Sequence, residues 1–326
     1  MKKSLGITTN LKSVRSHHAN VNGIRLHYTE LGTGPAVILC HGFPETWRSW
    51  HHQIFALAKA GFRAIAIDMR GHGGSDCPDE VTAYSVVHTV GDVIGLMDML
   101  QISKAVIVGH DAGTSTAYNA VLMRPDRFYG VMGLSVPFIP RARMNMMKAM
   151  IEASPPGFYM RYFQSPELPE RELDVDPRET LRRIYFHNSG ENPSGPSGME
   201  TDEAGLLLPA LATPINEMTF LSNNELDQAA DDYRRTGFNG GLNGYRAFDL
   251  NWELTAPWAE MMLPVPATFI GGDRDIVLHF SGFREAAEAM SRTQFVKTAG
   301  HWIHKEAPDE VNSHLLNFLR RVMPAG

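Results

Sequence analysis

The segment Gly109-His110-Asp111-Ala112-Gly113 sets an acid between two glycines, directly after the apolar run Ala105-Val106-Ile107-Val108 and before a helix-like stretch. A strand-to-helix turn of the form Gly-x-nucleophile-x-Gly exposes its central side chain. The glycines leave room for the sharp turn, and the following amide, that of Ala112, points at the reaction centre. Esterases carry Ser at this point, whereas the carboxylate of Asp111 suits attack on an alkyl carbon and a covalent ester intermediate. By itself the pattern also fits a structural turn with a capping aspartate. Three further features supply chemical context. His41-Gly42-Phe43-Pro44 follows an earlier apolar run ending at Cys40 and can bring a second amide, that of Phe43, to an oxyanion. Asp273-Arg274-Asp275 follows the run ending at Ile270, and Gly300-His301-Trp302 follows the strand-like stretch from Gln294 to Lys297. A carboxylate to orient an imidazole and an imidazole to activate water thus come after Asp111, in the order nucleophile, acid, base. No acid stands between Asp126 and Glu152, so placement of the orienting acid after the preceding strand is empty.

Residues this far apart must be gathered by a scaffold, and the apolar pattern describes one. From His18 to Leu31 apolar positions alternate around Asn22-Gly23, which reads as an antiparallel hairpin closed by a type I′ turn. Short continuous apolar runs follow, at Ala36 to Cys40, Ala64 to Ile67, Ala105 to Val108, Val131 to Leu134 and Ala267 to Ile270. Such runs belong in a parallel sheet covered on both faces. Between them, Val86, Val90, Val93, Ile94, Met97 and Leu100 form one helical stripe, as a sheet-covering helix requires. A mostly parallel, doubly wound α/β fold is expected. From about Val136 to about Pro257 strand signals vanish and helical patterns take over, so core residues 1–135 and 258–326 are expected to flank a helical insertion, 136–257. Within it, Ser222-Asn223-Asn224-Glu225 has capping-box spacing, and Gly237 would close the helix in a left-handed turn. The Gly, Ser and Pro of Ser189 to Gly198 read as a mobile loop.

At this point the chain resembles, over nearly its whole length, the epoxide hydrolases of the α/β-hydrolase superfamily. The resemblance is carried by His41-Gly42-Phe43-Pro44-Glu45-Thr46-Trp47, Asp68-Met69-Arg70-Gly71-His72-Gly73, Gly109-His110-Asp111, Gly300-His301-Trp302, and, in the insertion, Leu242-Asn243-Gly244-Tyr245-Arg246 with Asn251-Trp252-Glu253. It implies an α/β-hydrolase fold with a helical cap, and catalysis by Asp111, His301 and Asp275, the last preferred to Asp273 because the family's acid stands near the end of that loop. It implies that Tyr245 and Tyr159 hydrogen-bond the epoxide oxygen, Tyr159 because it precedes Tyr162-Phe163-Gln164 by three residues. The oxyanion would lie between the amides of Phe43 and Ala112. A small-molecule epoxide and water would be the reactants, a vicinal diol the product, and no cofactor is needed. Family members commonly carry Trp after the nucleophile, and Ala112 opens the pocket floor. Phe43, Phe138, Phe158, Phe163, Met144 and Met147 are expected to line an apolar pocket. A dehalogenase acting on haloalkanes or haloacids would use the same Asp but needs N–H donors for halide, which Ala112 removes. A ligand receptor on the same fold would need no activated water.

Composition sets the outer bounds. With 326 residues the chain is long enough for one large α/β domain with an insertion. Thirty basic against 36 acidic side chains, a net charge of −6, offer no surplus for gripping phosphate backbones, so nucleic-acid binding is disfavoured. Two cysteines, Cys40 and Cys77, fit a reducing cytoplasm better than a disulfide scaffold, though one bridge between them is allowed. Met1-Lys2-Lys3 is followed by no apolar region of a secretory leader, and no apolar run reaches membrane-spanning length. A homodimer is an admissible assembly. His301 and His304 stand three apart, and His17-His18 and His51-His52 are adjacent, without a third ligand at metal spacing, so core or titrating histidines are expected. Arg70-Gly71-His72-Gly73-Gly74 lacks the dinucleotide-binding glycine pattern. The methionines around Met144, Met146, Met147 and Met150 read as packing of a cap helix.

Overall fold

In the strand Ala36–Cys40 every residue is buried, yet neighbours face different clusters: Ile38 and Cys40 join one apolar core, Val37 and Leu39 another. A strand with a two-residue period does this only at the centre of a sheet covered on both faces. The computed structural model describes residues 13–195 and 197–323 and contains such a sheet. The reading of the first ten residues, and Pro196 of the glycine-rich loop, lie outside the described residues.

The strands are β1 (Arg15–Val21), β2 (Ile24–Leu31), β3 (Ala36–Cys40), β4 (Arg63–Ile67), β5 (Ala105–His110), β6 (Phe128–Leu134), β7 (Ala267–Gly272) and β8 (Gln294–Val296), in the spatial order β1-β2-β4-β3-β5-β6-β7-β8. The first two form the expected hairpin, with Asn22 and Gly23 both at positive φ. From β4 onward all pairings are parallel, with Cys40 beside Gly109, His110 beside Leu134, and Leu134 beside Ile270. This register brings the carboxyl ends of β3, β5, β6 and β7 to one edge, where an open α/β sheet places its ligand crevice.

Helices α1 (His51–Lys59), α2 (Val86–Met99), α3 (Ala112–Met123), and later α11 (Phe283–Ala289), α12 (Ile303–Glu306) and α13 (Pro308–Val322) accompany the sheet. The stripe read from the sequence buries Val86, Val90, Val93 and Met97 of α2 against one face, while Ile54 and Leu57 of α1 and Leu315 and Phe318 of α13 cover the other. Between β6 and β7 no strand joins the sheet. The chain instead forms α4 (Met146–Ala153), α5 (Tyr159–Tyr162), α6 (Leu168–Leu173), α7 (Pro177–His187), α8 (Asn223–Thr236), α9 (Asn239–Arg246) and α10 (Phe248–Leu254). Their apolar faces meet in a third cluster that includes Phe43 and Trp302 of the sheet-bearing part.

Local signals in this insertion held in part. The Ser222–Glu225 capping box is present, but Gly237 ends α8 at φ 65, ψ −175, outside the left-handed helical region. That backbone is open to glycine for want of a Cβ. The first part of the stretch, Ser189 to Asn192, is tied down. Asn192 is fully buried and Gly190 is held from three sides, because long-range partners satisfy a backbone whose composition suggests freedom. Helix α4 has no fully buried residue: Met147 and Met150 rest partly buried on the third cluster, whereas Met144, ahead of the helix, and Met146 are exposed. Cys40 and Cys77 are free thiols. Among the described residues no helix is long and apolar enough to cross a membrane.

Helix α9 approaches the sheet-bearing part through glycines. A Cβ on Gly240 would lie 2.4 Å from Gly71 O and one on Gly241 2.0 Å from Phe43 Cδ2, while one on Gly244 would meet nothing within 4 Å. Gly240→Ala is therefore expected to lower the melting temperature, whereas Gly244→Ala, which gains helix propensity in open space, stabilises by up to about 1 kcal/mol. Thermal denaturation followed by circular dichroism compares them. Equal shifts would show that the close approach of α9 does not matter.

Candidate active site

Strand β5 delivers Asp111 into a strained turn, φ 49 and ψ −124, from which α3 departs. A non-glycine residue at positive φ costs free energy that the surroundings must offset. Here they do so by close packing: a Cβ on Gly113 would lie 2.2 Å from Cys40 O, and one on Gly42 2.4 Å from Asp111 Oδ1. The elbow and the loop after β3 therefore interlock only because both positions are glycine. One outcome is that the Phe43 amide donates to Asp111 Oδ1 at 3.0 Å. The Ala112 amide, first of α3, has no acceptor within its helix. His41 braces this loop, donating from Nδ1 to Gly42 O at 2.7 Å and accepting at Nε2 from the Met69 amide at 3.0 Å.

Against Asp111 stands His301, whose Nε2 lies 3.4 Å from Asp111 Oδ2 and whose Nδ1 lies 3.0 Å from Asp275 Oδ1. Asp275 is fully buried and also accepts from the Val277 amide at 3.0 Å. Asp273 turns away and accepts from the exposed Thr298 amide. Burial alone would push the imidazole down, but Asp275 and Asp111 raise it well above the ordinary histidine value. Burial likewise opposes the charge on Asp111. The His301 hydrogen bond and charge, the His110 charge and the Phe43 amide override it and hold the carboxyl below its usual range.

Two tyrosines look onto this pair from the insertion. Tyr159 begins α5 and Tyr245 lies in α9, with ring centroids 6.2 Å apart and Phe163 packed edge-on against both. Burial first, and then the Asp111 charge, raise both hydroxyls well above the ordinary tyrosine value, so they remain donors. Among the described residues neither hydroxyl has a protein acceptor. Tyr162, the neighbouring candidate in sequence, donates instead to Glu172. Arg246 explains why Tyr245 precedes an arginine: its guanidinium donates to Phe163 O and Ser165 O and pairs with Glu170 at 2.6 Å, locking α9 to the turn after α5. Asn251 accepts from the Val86 amide at the start of α2.

The pocket residues divide. Phe43 lies edge-on to Phe163, Phe238 and Tyr245, and Phe158 packs on Tyr159. Met147 borders the same cluster. Phe138 instead packs on Tyr118 in the core beneath the sheet, and Met144 is 61% exposed. Apolar composition near the start of the insertion could not separate side chains facing the site from those facing the core or solvent.

Sequence reasoning passed over a buried group behind the nucleophile. Glu45 Oε2 lies 2.6 Å from His110 Nδ1 and Glu45 Oε1 3.0 Å from His304 Nε2, so His304 belongs here and not with His301. The three side chains could offer atoms to a metal ion. Their facing atoms are instead satisfied by one another. His110 Nε2 also lies 2.9 Å from the His301 carbonyl. Both ring nitrogens of His110 thus face an acceptor, Glu45 on one side and the His301 carbonyl on the other. Charges and hydrogen bonds from His110 and His304 hold Glu45 well below its usual range despite its burial, while burial pushes His304 down to about 3. The signal available in the sequence was a Glu and a His at positions otherwise filled by apolar or small residues.

This coupling makes a measurable demand. Asp111→Asn removes one of the two carboxylates facing His301, so the imidazole should titrate at lower pH than in the unaltered protein while Asp275 keeps it above an isolated histidine. NMR titration of the ring nitrogens reads this directly, and an unchanged titration would show that the two groups are not coupled.

Comparisons agree with this geometry. The α/β hydrolase fold family matches residues 35–308. Epoxide hydrolase 3 of Siraitia grosvenorii is 39% identical over 313 residues, covering 93% of this chain and 97% of that protein. Epoxide hydrolase A of Mycobacterium tuberculosis is 41% identical over 310 residues, 92% and 95% of the two chains. Among solved structures, an epoxide hydrolase of Vigna radiata superposes with a TM-score of 0.89 at 31% identity, covering 96% of this chain and 99% of that one. Epoxide hydrolase A of Mycobacterium thermoresistibile gives 0.87 at 38% identity, with coverage of 94% and 98%. With an elbow aspartate, a sheet-edge imidazole and a helical insertion over them, the chain belongs to the epoxide hydrolase family of the α/β-hydrolase fold.

Proposed function

We propose that this protein hydrolyses apolar epoxides to vicinal diols through a covalent alkyl ester on Asp111. Residues 1–135 and 258–326 act as the catalytic core and 136–257 as its cap. The observation that carries this reading is a carboxylate at the elbow whose charge raises the hydroxyls of Tyr159 and Tyr245, neither of which has a protein acceptor among the described residues.

Asp111 attacks one epoxide carbon and the carbon–oxygen bond of the strained ring breaks. Tyr159 and Tyr245 hydrogen-bond the departing oxygen as charge develops on it, where donors in a dry site are most effective. Esterification removes the negative charge that helped to hold the proton on His301. The imidazole then sheds that proton as the alkoxide takes one up. Neutral His301, oriented by Asp275, next removes a proton from water, and the resulting hydroxide adds to the ester carbonyl. The tetrahedral oxyanion lies between the amides of Phe43 and Ala112. Its collapse expels the diol oxygen, which takes the proton left on the new carboxyl, and the ionised Asp111 and protonated His301 are restored. His110, between Glu45 and the His301 carbonyl, braces the elbow from behind. A dehalogenase is disfavoured because Ala112 offers no side-chain N–H for a halide.

His301→Gln should stop the cycle after the first half-reaction. Intact-protein mass spectrometry after addition of styrene oxide is expected to show one substrate mass on Asp111, and turnover without an adduct would refute the assignment. Tyr159→Phe and Tyr245→Phe should each slow ring opening by about 10- to 1000-fold, the scale of a lost oxyanion donor. Tyr162→Phe should retain activity, and an inactive Tyr162→Phe beside an active Tyr159→Phe would reassign the donor.

A further inference from the structure

The backbone around His301 is held by a segment of the insertion. Three consecutive amides are all committed: Gly300 donates to Glu306 Oε2 at 2.9 Å, His301 to Asn188 O at 2.9 Å and Trp302 to Glu306 Oε1 at 3.0 Å. The same Glu306 oxygen that takes the Gly300 amide takes the Gly190 amide at 2.7 Å. One carboxylate therefore joins the loop on both sides of the imidazole to the chain that follows α7.

The acid of the relay is tied to the same segment. Arg274, next to Asp275, donates from Nη1 to Gly190 O at 2.6 Å and from Nη2 to Asn192 O at 2.7 Å, and its own amide donates to Ala299 O at 3.0 Å. Asn192 is anchored in turn by its side-chain donation to His187 O at 2.9 Å. The packing leaves no slack. A Cβ on Gly300 would lie 2.4 Å from the Gly190 nitrogen, and one on Gly190 1.9 Å from Thr298 O.

We propose that residues 188–192 are a strap by which the insertion positions the His301–Asp275 pair, with Glu306 and Arg274 as the positioning residues that fasten it. Neither residue touches the reacting atoms. Their effect is on where the imidazole sits relative to the ester carbonyl, and hence on the second half-reaction. Asp111 and Tyr245, which act in the first, are held by the β3 loop, Arg246 and α9, and Tyr159 donates its amide to Met199 O, outside the residues that Glu306 and Arg274 fasten. The inference rests on His301 being the base proposed above.

The test is a single-turnover experiment with styrene oxide, following formation and decay of the alkyl-enzyme by quench and intact mass. In Glu306→Gln and Arg274→Ala the ester should decay about 10- to 100-fold more slowly, the scale of a misplaced catalytic group, while its formation stays within about 2-fold. The adduct should accumulate in the steady state, and Arg274→Lys, which keeps one donor, should recover part of the loss. Formation and decay falling together with the melting temperature would show that these residues only hold the fold, and unchanged decay in both variants would refute the strap. His301→Gln in the same assay separates the two levels. If it accumulates adduct and the strap variants do not, the strap alone fails; if it accumulates none, the role of His301 fails first.

Discussion

A carboxylate must stay ionised while buried at the edge of a parallel sheet, and most of the site follows from that requirement. Removing such an ion from water costs several kcal/mol unless charge and hydrogen bonds compensate. Asp111 is compensated in front by His301 and the Phe43 amide and from behind by His110. His301 needs its own counter-charge, Asp275, and His110 is hydrogen-bonded to Glu45. The result is an alternation of carboxylate and imidazole running from Glu45 through His110, Asp111 and His301 to Asp275. Removing any one member leaves a neighbour buried without a partner, so the group behaves as a unit and not as three separate catalytic residues.

The backbone is shaped to allow that alternation. Asp111 can occupy its strained elbow because Gly42 and Gly113 let the β3 loop and α3 close around it. Parallel pairing then sets the spacing, since the loops carrying Phe43 and Asp111 leave the neighbouring strands β3 and β5, and the loop carrying Asp275 leaves β7, one strand further across β6, with their ends in register. His301 arrives from beyond the short edge strand β8, and its carbonyl is bonded by His110 at the end of β5 and by Ser135 just after β6, while its amide goes to Asn188 of the insertion.

The insertion does more than cover the site. Its aromatic cluster takes in Phe43 and Trp302, so the walls of the site are also the interface by which the helices are docked. Polar ties reinforce the docking: Arg48 with Asp232 at 3.0 Å, Arg235 with Gly73 O at 2.7 Å, and Asn251 with the start of α2. Two tyrosines from separate helices are brought to one spot by Arg246, which spends its whole guanidinium on Phe163, Ser165, Glu170 and Asn243. A change in how the insertion sits would thus move the hydroxyls and the strap beside His301 together.

Sequence alone determined the sheet, its two-faced core, the hairpin, the elbow and the chain order of acid and base, because these rest on short-range patterns: apolar runs, glycines flanking an acid, a turn dipeptide. The preference for Asp275 over Asp273 and for Tyr159 over Tyr162 rested only on resemblance; in the structure Asp275 lies against His301, whereas Asp273 bonds to Thr298 and Tyr162 to Glu172. What composition could not show is which way a side chain faces or which distant group satisfies it. Met144 and Phe138 are apolar and near the site in sequence, yet one faces solvent and the other the core. Ser189 to Gly198 has the residues of a free loop, yet its part from Gly190 to Asn192 is bound by Glu306 and Arg274 from more than eighty residues away. Glu45, His110 and His304 form one buried charged group drawn from three elements, and only long-range packing brings their atoms within hydrogen-bonding distance.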